Sequence, residues 1–336
     1  MNIQRNVSLK KYNTFGIDVT AKEFVSIANE AELVEVLSDK KQPLLVISGG
    51  SNMLLTKAIN TLVVHINTKG ILVNRFDSYA LVTAKAGENW HDFVQFCIDE
   101  NLGGLENLSL IPGCVGSAPI QNIGAYGVEL KDCFVSCKAV HRKSIKEKIF
   151  TKEDCQFGYR NSVFKNEAKD QYIITEVTFK LSVGSHTLNT KYGAIEKELV
   201  EKKRIKPTIK DVSEAVIAIR KSKLPDPKKI GNSGSFFKNP IITVEKYQQL
   251  MAIFPEMPHY PISNELVKVP AGWLIDQVGF KGYVYKNAGV HGKQALVLIN
   301  RTGSATGKEI WELAMIIQKK IKSVYKIELE AEVNVF

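Results

Sequence analysis

The stretch Gly231-Asn232-Ser233-Gly234-Ser235-Phe236-Phe237-Lys238-Asn239-Pro240 sets a hydroxyl between a glycine and two aromatic rings, with a cation, an amide and a proline just behind. Glycine allows positive φ and lets backbone come close to a ligand. Ser235 is therefore expected on a tight, shaped turn with its Oγ available. Lys223-Leu224-Pro225-Asp226-Pro227 leads into it, with φ fixed at both prolines. Such a loop can also merely join two elements, so the rest of the chain has to decide. No G-x-S-x-G elbow surrounds Ser235, which disfavours acyl transfer. A serine so presented can instead donate a hydrogen bond, or act as general acid to a carbanion.

Three further constellations could carry chemistry. Ser48-Gly49-Gly50-Ser51-Asn52 follows an apolar strand, Pro43–Ile47, and backbone N–H groups on such a turn can cradle a pyrophosphate. The turn is neither GxGxxG nor GxxxxGK[ST], and a plain β-turn reads equally well. Ile111 to Gly127 holds four glycines, two prolines and mostly small residues. A segment of that kind lets backbone lie flat against a large planar ligand, and irregular segments this long inside compact domains are usually functional. Gly158-Tyr159-Arg160-Asn161-Ser162 holds a guanidinium that can grip carboxylate or phosphate with two bonds at once. The last residues alternate, with Ile327, Leu329, Ala331, Val333 and Val335 on one face and Glu328, Glu330, Glu332 and Asn334 on the other. Any of the three glutamates could serve acid–base or electrostatic work, and spacing alone does not choose among them.

These residues need a scaffold. The chain has 336 residues, 44% of them hydrophobic and 24% charged, which suits two or three globular domains. No apolar run approaches a membrane span, and the start, Met1-Asn2-Ile3-Gln4-Arg5, lacks a signal-peptide stretch, so a cytoplasmic protein is expected. Five cysteines without a CxxC pair point to buried or free thiols rather than disulfides, and no metal is expected. The net charge of +10 is spread along the chain, without a basic arm or an RNA-binding signature. Phosphorylated small ligands account for its sign at least as well as nucleic acid does.

Periodicity predicts a strand over Thr61–Ile66, a helix over Asn29–Ser38 and another around Trp90–Glu100. Tyr172–Leu181 and Gln294–Ile299 read as strands. Asp211 with Glu214 reads as a capping box opening a helix to Lys221. Ala271–Gln277 reads as a helix ending near Gly279, and Ile310 to Val324 as an amphipathic one with Leu313, Ala314, Ile317 and Ile321 on its face.

Taken in order along the chain, the motifs resemble those of the UDP-N-acetylenolpyruvoylglucosamine reductase family. The resemblance runs nearly end to end. It is carried by Tyr12-Asn13-Thr14-Phe15-Gly16, Gly49–Asn52, Ile111–Glu129, Gly158–Ser162, Gly231–Pro240, Gly272–Gln277 and Glu330–Val333. It implies an α+β protein, a vanillyl-alcohol-oxidase-type two-part FAD-binding fold plus a C-terminal α+β substrate-binding domain. The expected boundaries are 1–70 and 71–212 for the FAD-binding parts, with a C-terminal strand, 325–336, joining the second, and 219–324 for the substrate domain. The implied activity is reduction of UDP-N-acetylglucosamine enolpyruvate by NADPH through FAD, in peptidoglycan synthesis, by a monomer that binds neither nucleic acid nor membrane.

Role by role, the resemblance makes Ser235 the proton donor, with Arg160 and Glu332 polarising the substrate carboxylate. Cofactor contacts are expected from Gly49, Gly50, Ser51 and Asn52, from Pro112, Gly113, Gly116 and Ser117, and from Gln121, Asn122, Gly124, Ala125 and Tyr126. Thr190-Lys191-Tyr192-Gly193 matches the type whose tyrosine loop covers the substrate, so Tyr192 is expected on the diphosphate, with Lys223, Asn239 and Gln277 as further substrate contacts. Some relatives carry an arginine where this chain has Asn334, so any flavin contact of that arginine must be lost or replaced. Two other readings stand beside this one, a different FAD oxidoreductase of the same fold and an RNA-binding protein without flavin.

Overall fold

The computed structural model describes residues 2–39 and 43–336. They fall into two compact units. The first comprises residues 1–7, 21–49 and 59–222; the second comprises 8–20, 50–58 and 223–336.

Among the described residues the first unit holds two larger sheets and a two-stranded hairpin, Gly124–Ala125 with Val128–Glu129. One runs Gln4–Ser8, Thr20–Ile27, Ile59–Ile66, Leu44–Ile47, and its last three strands are parallel. Helix α1, Glu30–Ser38, packs Leu33, Val36 and Leu37 on it. Asn29 starts that helix by accepting the Glu32 N–H, and the Glu32 carboxylate returns to the Ala28 N–H. The other sheet is antiparallel, in the order Glu147–Thr151, Phe134–His141, Tyr172–Val183, Tyr79–Lys85, Ile71–Arg75. Helix α2, Trp90–Asp99, buries Trp90, Phe93, Val94, Cys97 and Ile98. The Phe93 ring lies 5.1 Å from that of Phe179 on the sheet. Each such ring contributes about 1.5–3 kcal/mol by leaving water. The Trp90 indole N–H is satisfied by Leu108 O at 2.9 Å, so burying it leaves no donor stranded. Helices α3, Gly193–Glu201, and α4, Ile209–Lys223, share a small core of Ile195, Leu199, Val212, Ala215, Val216 and Ile219, with Tyr126 at its edge.

In the second unit Gly231–Ser235, Val297–Asn300, Ala288–Val290 and Val284–Tyr285 form an antiparallel sheet, and Ile241–Thr243, Leu266–Lys268 and Tyr260–Pro261 a smaller one. Helices α5, Val244–Met251, α6, Ala271–Gln277, and α7, Gly307–Tyr325, complete it. Thr306 and Glu309 close a reciprocal capping box at the start of α7. Its core gathers Phe15, Leu54, Phe236, Leu274, Leu298, Ile317 and Val333 from all three segments of the unit.

Several expectations need correction. The α4 capping box is Thr208 with Asp211, not Asp211 with Glu214: each backbone N–H meets the other's side chain, at 2.9 and 3.2 Å. On α7 the apolar face closes with buried Tyr325, while Val324, in the helix's last turn, is exposed. The C-terminal tail does not join the 71–212 part. Ile327, Leu329 and Val333 enter the second unit's core, and Asn334–Val335 pairs in parallel with Met53–Leu54. The alternation survives in burial from Ile327 to Glu330; Ala331 and Glu332 are both half-buried, Val333 is buried and Val335 is exposed. Four cysteines are buried and Cys114 is half-buried, all as free thiols. Among the described residues no helix is long and apolar enough to cross a membrane.

Candidate active site

In the second unit the Ser235 turn is built by its neighbours. Gly234 takes φ 71°, and its N–H donates to Asn232 Oδ1 at 2.9 Å. The buried Asn232 amide donates in turn to Ile230 O at 2.8 Å and Pro225 O at 3.1 Å, which ties the turn to the proline approach. Pairing with the next strand shifts register between Asn232 and Ser235, and Ser235 then sits opposite Val297. This bulge leaves Ser235 exposed while Phe236 and Phe237 turn into the core.

The three glutamates that spacing left equivalent are distinguished by this turn. Glu328 is exposed and paired with Lys322, which holds its carboxyl below the usual range. Glu330 is exposed and paired with Lys238 at 2.5 Å. Glu332 is half-buried, and its N–H donates to Phe236 O at 2.8 Å, one residue past Ser235. Asn52 donates to Glu332 O at 3.3 Å, and Asn334 donates to Asn52 O through both its backbone N–H, at 3.1 Å, and its amide, at 3.0 Å. Asn334 therefore acts as a clasp on the Asn52 turn. Asn239 accepts the Ala271 N–H at 3.0 Å and so caps α6, whose exposed last residue is Gln277. Lys223 is exposed at the end of α4.

In the first unit the glycine-rich segment is a backbone cradle. A Cβ on Gly49 would fall 2.8 Å from Gly113 Cα, so these two backbones touch and only glycine fits. Gly113 has φ 121° and Tyr126 φ 51°, and neither residue's N–H has an acceptor among the described residues. Half-buried, unengaged N–H groups on turns lined by small residues suit an anionic, planar group, and the segment fits FAD on that ground. Three of the expected contact residues also hold the cradle together. Gly116 is buried, its N–H goes to Ala86 O, and a Cβ there would meet Ala86 Cβ at 2.5 Å. The Asn122 side chain is wholly engaged, with Glu129 at 3.0 Å, Gly158 O at 3.1 Å and the Lys131 N–H at 3.0 Å. Ser117 likewise donates its hydroxyl to Cys114 O at 2.7 Å.

Those same Asn122 bonds steady the loop that carries Arg160. Arg160 takes φ 51°, donates to Gly124 O at 2.5 Å and lies 4.0 Å from Glu129. Ser162 fixes the loop by donating to Ile120 O at 2.7 Å. The Tyr126 ring meets that of Tyr192 edge-on at 5.4 Å, and Tyr192 is 48% exposed at the start of α3. Burial pushes the Tyr126 phenol up, against the Arg220 guanidinium, which bonds to it and also donates to Leu110 O at 3.2 Å. Ser235 and Glu332 thus belong to one unit, Arg160 and Tyr192 to the other. Sequence reasoning missed Asn232, Glu129 and Arg220. Asn232, flanked by glycine and serine, was the one with a legible signal, an Asx turn.

The comparisons with known proteins agree along the whole chain. Residues 22–144 match the family described as FAD binding domain, and residues 226–336 the UDP-N-acetylenolpyruvoylglucosamine reductase, C-terminal domain. A UDP-N-acetylenolpyruvoylglucosamine reductase of Flavobacterium johnsoniae is 54% identical over 337 residues, covering 100% of both chains. One from Pseudomonas aeruginosa is 45% identical over 341 residues, covering 100% of this chain and 99% of the other. The crystal structure of the reductase from Thermus caldophilus superposes with a TM-score of 0.70 at 24% identity, covering 100% of this chain and 99% of that one, which speaks for the fold. The two-part FAD-binding fold with a C-terminal α+β domain holds, and the chain belongs to the UDP-N-acetylenolpyruvoylglucosamine reductase family.

Proposed function

We propose that the protein reduces UDP-N-acetylglucosamine enolpyruvate to UDP-N-acetylmuramate with NADPH, supplying a peptidoglycan precursor as a cytoplasmic monomer. The observation that carries this reading is the Ser235 turn, a lone exposed hydroxyl on a bulged strand, locked by Asn232 and one residue from the pairing that holds Glu332. Bound FAD would supply two-electron hydride chemistry between NADPH and C3 of the enolpyruvyl group. The protein's own work lies at C2 and the carboxylate. Arg160 binds the carboxylate, where negative charge grows as C3 gains hydride, and Glu332 supports the enolic form. Donors fixed before the reaction favour charge that develops only during it. Ser235 Oγ gives its proton to C2 and completes the D-lactyl ether. Gly49, Gly50, Ser51 and Asn52, with Pro112, Gly113, Gln121, Gly124, Ala125 and Tyr126, hold the cofactor, mainly through backbone. Tyr192, Lys223, Asn239 and Gln277 hold the nucleotide sugar. The positive net charge favours encounter with two anionic substrates.

The test is the visible absorption spectrum of the purified protein. A flavin band that bleaches under anaerobic NADPH and returns on adding UDP-N-acetylglucosamine enolpyruvate is the expected result. A band that returns only with oxygen would favour an oxidase, and no band after reconstitution with FAD would overturn the reading.

A further inference from the structure

Asn107 lies in a short 3-10 turn, Glu106–Leu108, and is 1% exposed. Its amide nitrogen donates to Tyr126 O at 3.0 Å and to Asn189 O at 2.9 Å. Both partners are carbonyls, so the nitrogen must face them and the side-chain orientation is settled by chemistry. Its Oδ1 is buried without a partner among the described residues. A buried oxygen left without a hydrogen bond is costly, so the residue is placed for its two donors. The turn itself is rigid, because Leu108 O accepts the buried Trp90 indole and Glu106 accepts the Gly104 N–H at 2.7 Å. Asn189 adds a return bond to Gly127 O at 3.1 Å. Three residues on, Tyr192 rests edge-on against Tyr126.

We infer that Asn107 is a positioning residue for substrate binding: it clasps the segment before Tyr192 to the Tyr126–Gly127 turn of the cofactor cradle, and so presets the tyrosine that covers the diphosphate. The inference rests on the proposed reading of Tyr192. The two sides of the clasp are unequal. The cradle is pinned independently through Asn122, bonded to Glu129 and Gly158. On the Tyr192 side Leu188 and Ile195 pack into the small core of α3 and α4, and Asn107 with Asn189 ties the intervening segment to the cradle.

The test uses the FAD-loaded enzyme and the variants Asn107→Ala, Asn107→Asp and Asn189→Ala. Loss of two buried hydrogen bonds predicts that Asn107→Ala raises KM for UDP-N-acetylglucosamine enolpyruvate about tenfold to thirtyfold. Its kcat and its rate of flavin reduction by NADPH without substrate stay near wild type. Hydrogen exchange at residues 186–193 should quicken. Asn107→Asp, which turns an oxygen toward each carbonyl, should be at least as impaired. Asn189→Ala, less buried and removing one bond, should move KM and exchange the same way by less, and it decides the matter should Asn107→Ala not fold. Unchanged KM and unchanged exchange in these variants would overturn the inference, as would equal loss of flavin reduction and turnover. A wild type that fails to turn over this substrate refutes the functional reading instead, and exchange then still tests the clasp.

Discussion

Gly234 offers the sharpest test of how Ser235 is presented. Its φ is 71°, and a Cβ built there meets nothing within 4 Å. Substitution to alanine therefore adds no clash, and its whole cost is conformational. Holding an L-residue in the left-handed region costs about 1–2 kcal/mol, and asparagine tolerates it better. Gly234→Ala should lower unfolding free energy by about 1–2 kcal/mol, and Gly234→Asn by roughly half that, despite its larger side chain. Strain relieved by moving the turn displaces Ser235, and a displacement of about 1 Å can cost ~10²-fold in rate. Urea unfolding followed by circular dichroism reads the first effect; stopped-flow reoxidation of the reduced flavin by substrate reads the second. Flavin reduction by NADPH should be unaffected. Asparagine proving worse than alanine, or alanine leaving both stability and reoxidation at wild-type values, would refute the argument. Gly231→Ala marks the contrast, since its Cβ would lie 2.0 Å from Phe15 O, and it should fail to fold.

Gly49→Ala drives a Cβ to 2.8 Å from Gly113 Cα, so the purified variant should carry less FAD, seen as a reduced flavin-to-protein absorbance ratio. Thr306→Ala removes the first half of the α7 capping box and should cost about 1 kcal/mol in urea unfolding. The Glu309 carboxyl is held below its ordinary value, chiefly by the Thr306 N–H. That group's contribution is present above the ordinary glutamate value and disappears as pH falls through the lowered one. Glu309→Gln should therefore flatten the acid side of the stability profile, measured as urea midpoints between neutral and acidic pH, and leave its shape near neutrality unchanged.

Local periodicity made much of the fold legible. The strand at Tyr172 and helices α1, α2, α6 and α7 follow from apolar spacing that one element satisfies by itself. Long-range choices were not legible. Nothing in the alternation from Ile327 to Val335 says which edge it meets, and the partner, Met53–Leu54, is two residues of strand far away in sequence. Glycine and serine spacing announced the Ser235 turn because positive φ and an exposed hydroxyl are local properties. Asn107 and Arg220 gave no sign, since a single amide or guanidinium inside an ordinary stretch acquires meaning only from the carbonyls and phenol that folding brings to it. Gly116 and Asn122 were legible as special, and the packing and pinning they provide came only with the fold.

The most direct test of the central claim separates the two half-reactions of Ser235→Ala in anaerobic stopped flow. Ser235 is exposed and packs no core, so FAD content and reduction by NADPH should match wild type. Reoxidation by UDP-N-acetylglucosamine enolpyruvate should slow by about 10²–10⁴-fold, the range of a lost general acid. Equal slowing of both half-reactions, or reoxidation at the wild-type rate, would contradict the assignment of Ser235 as the proton donor to C2.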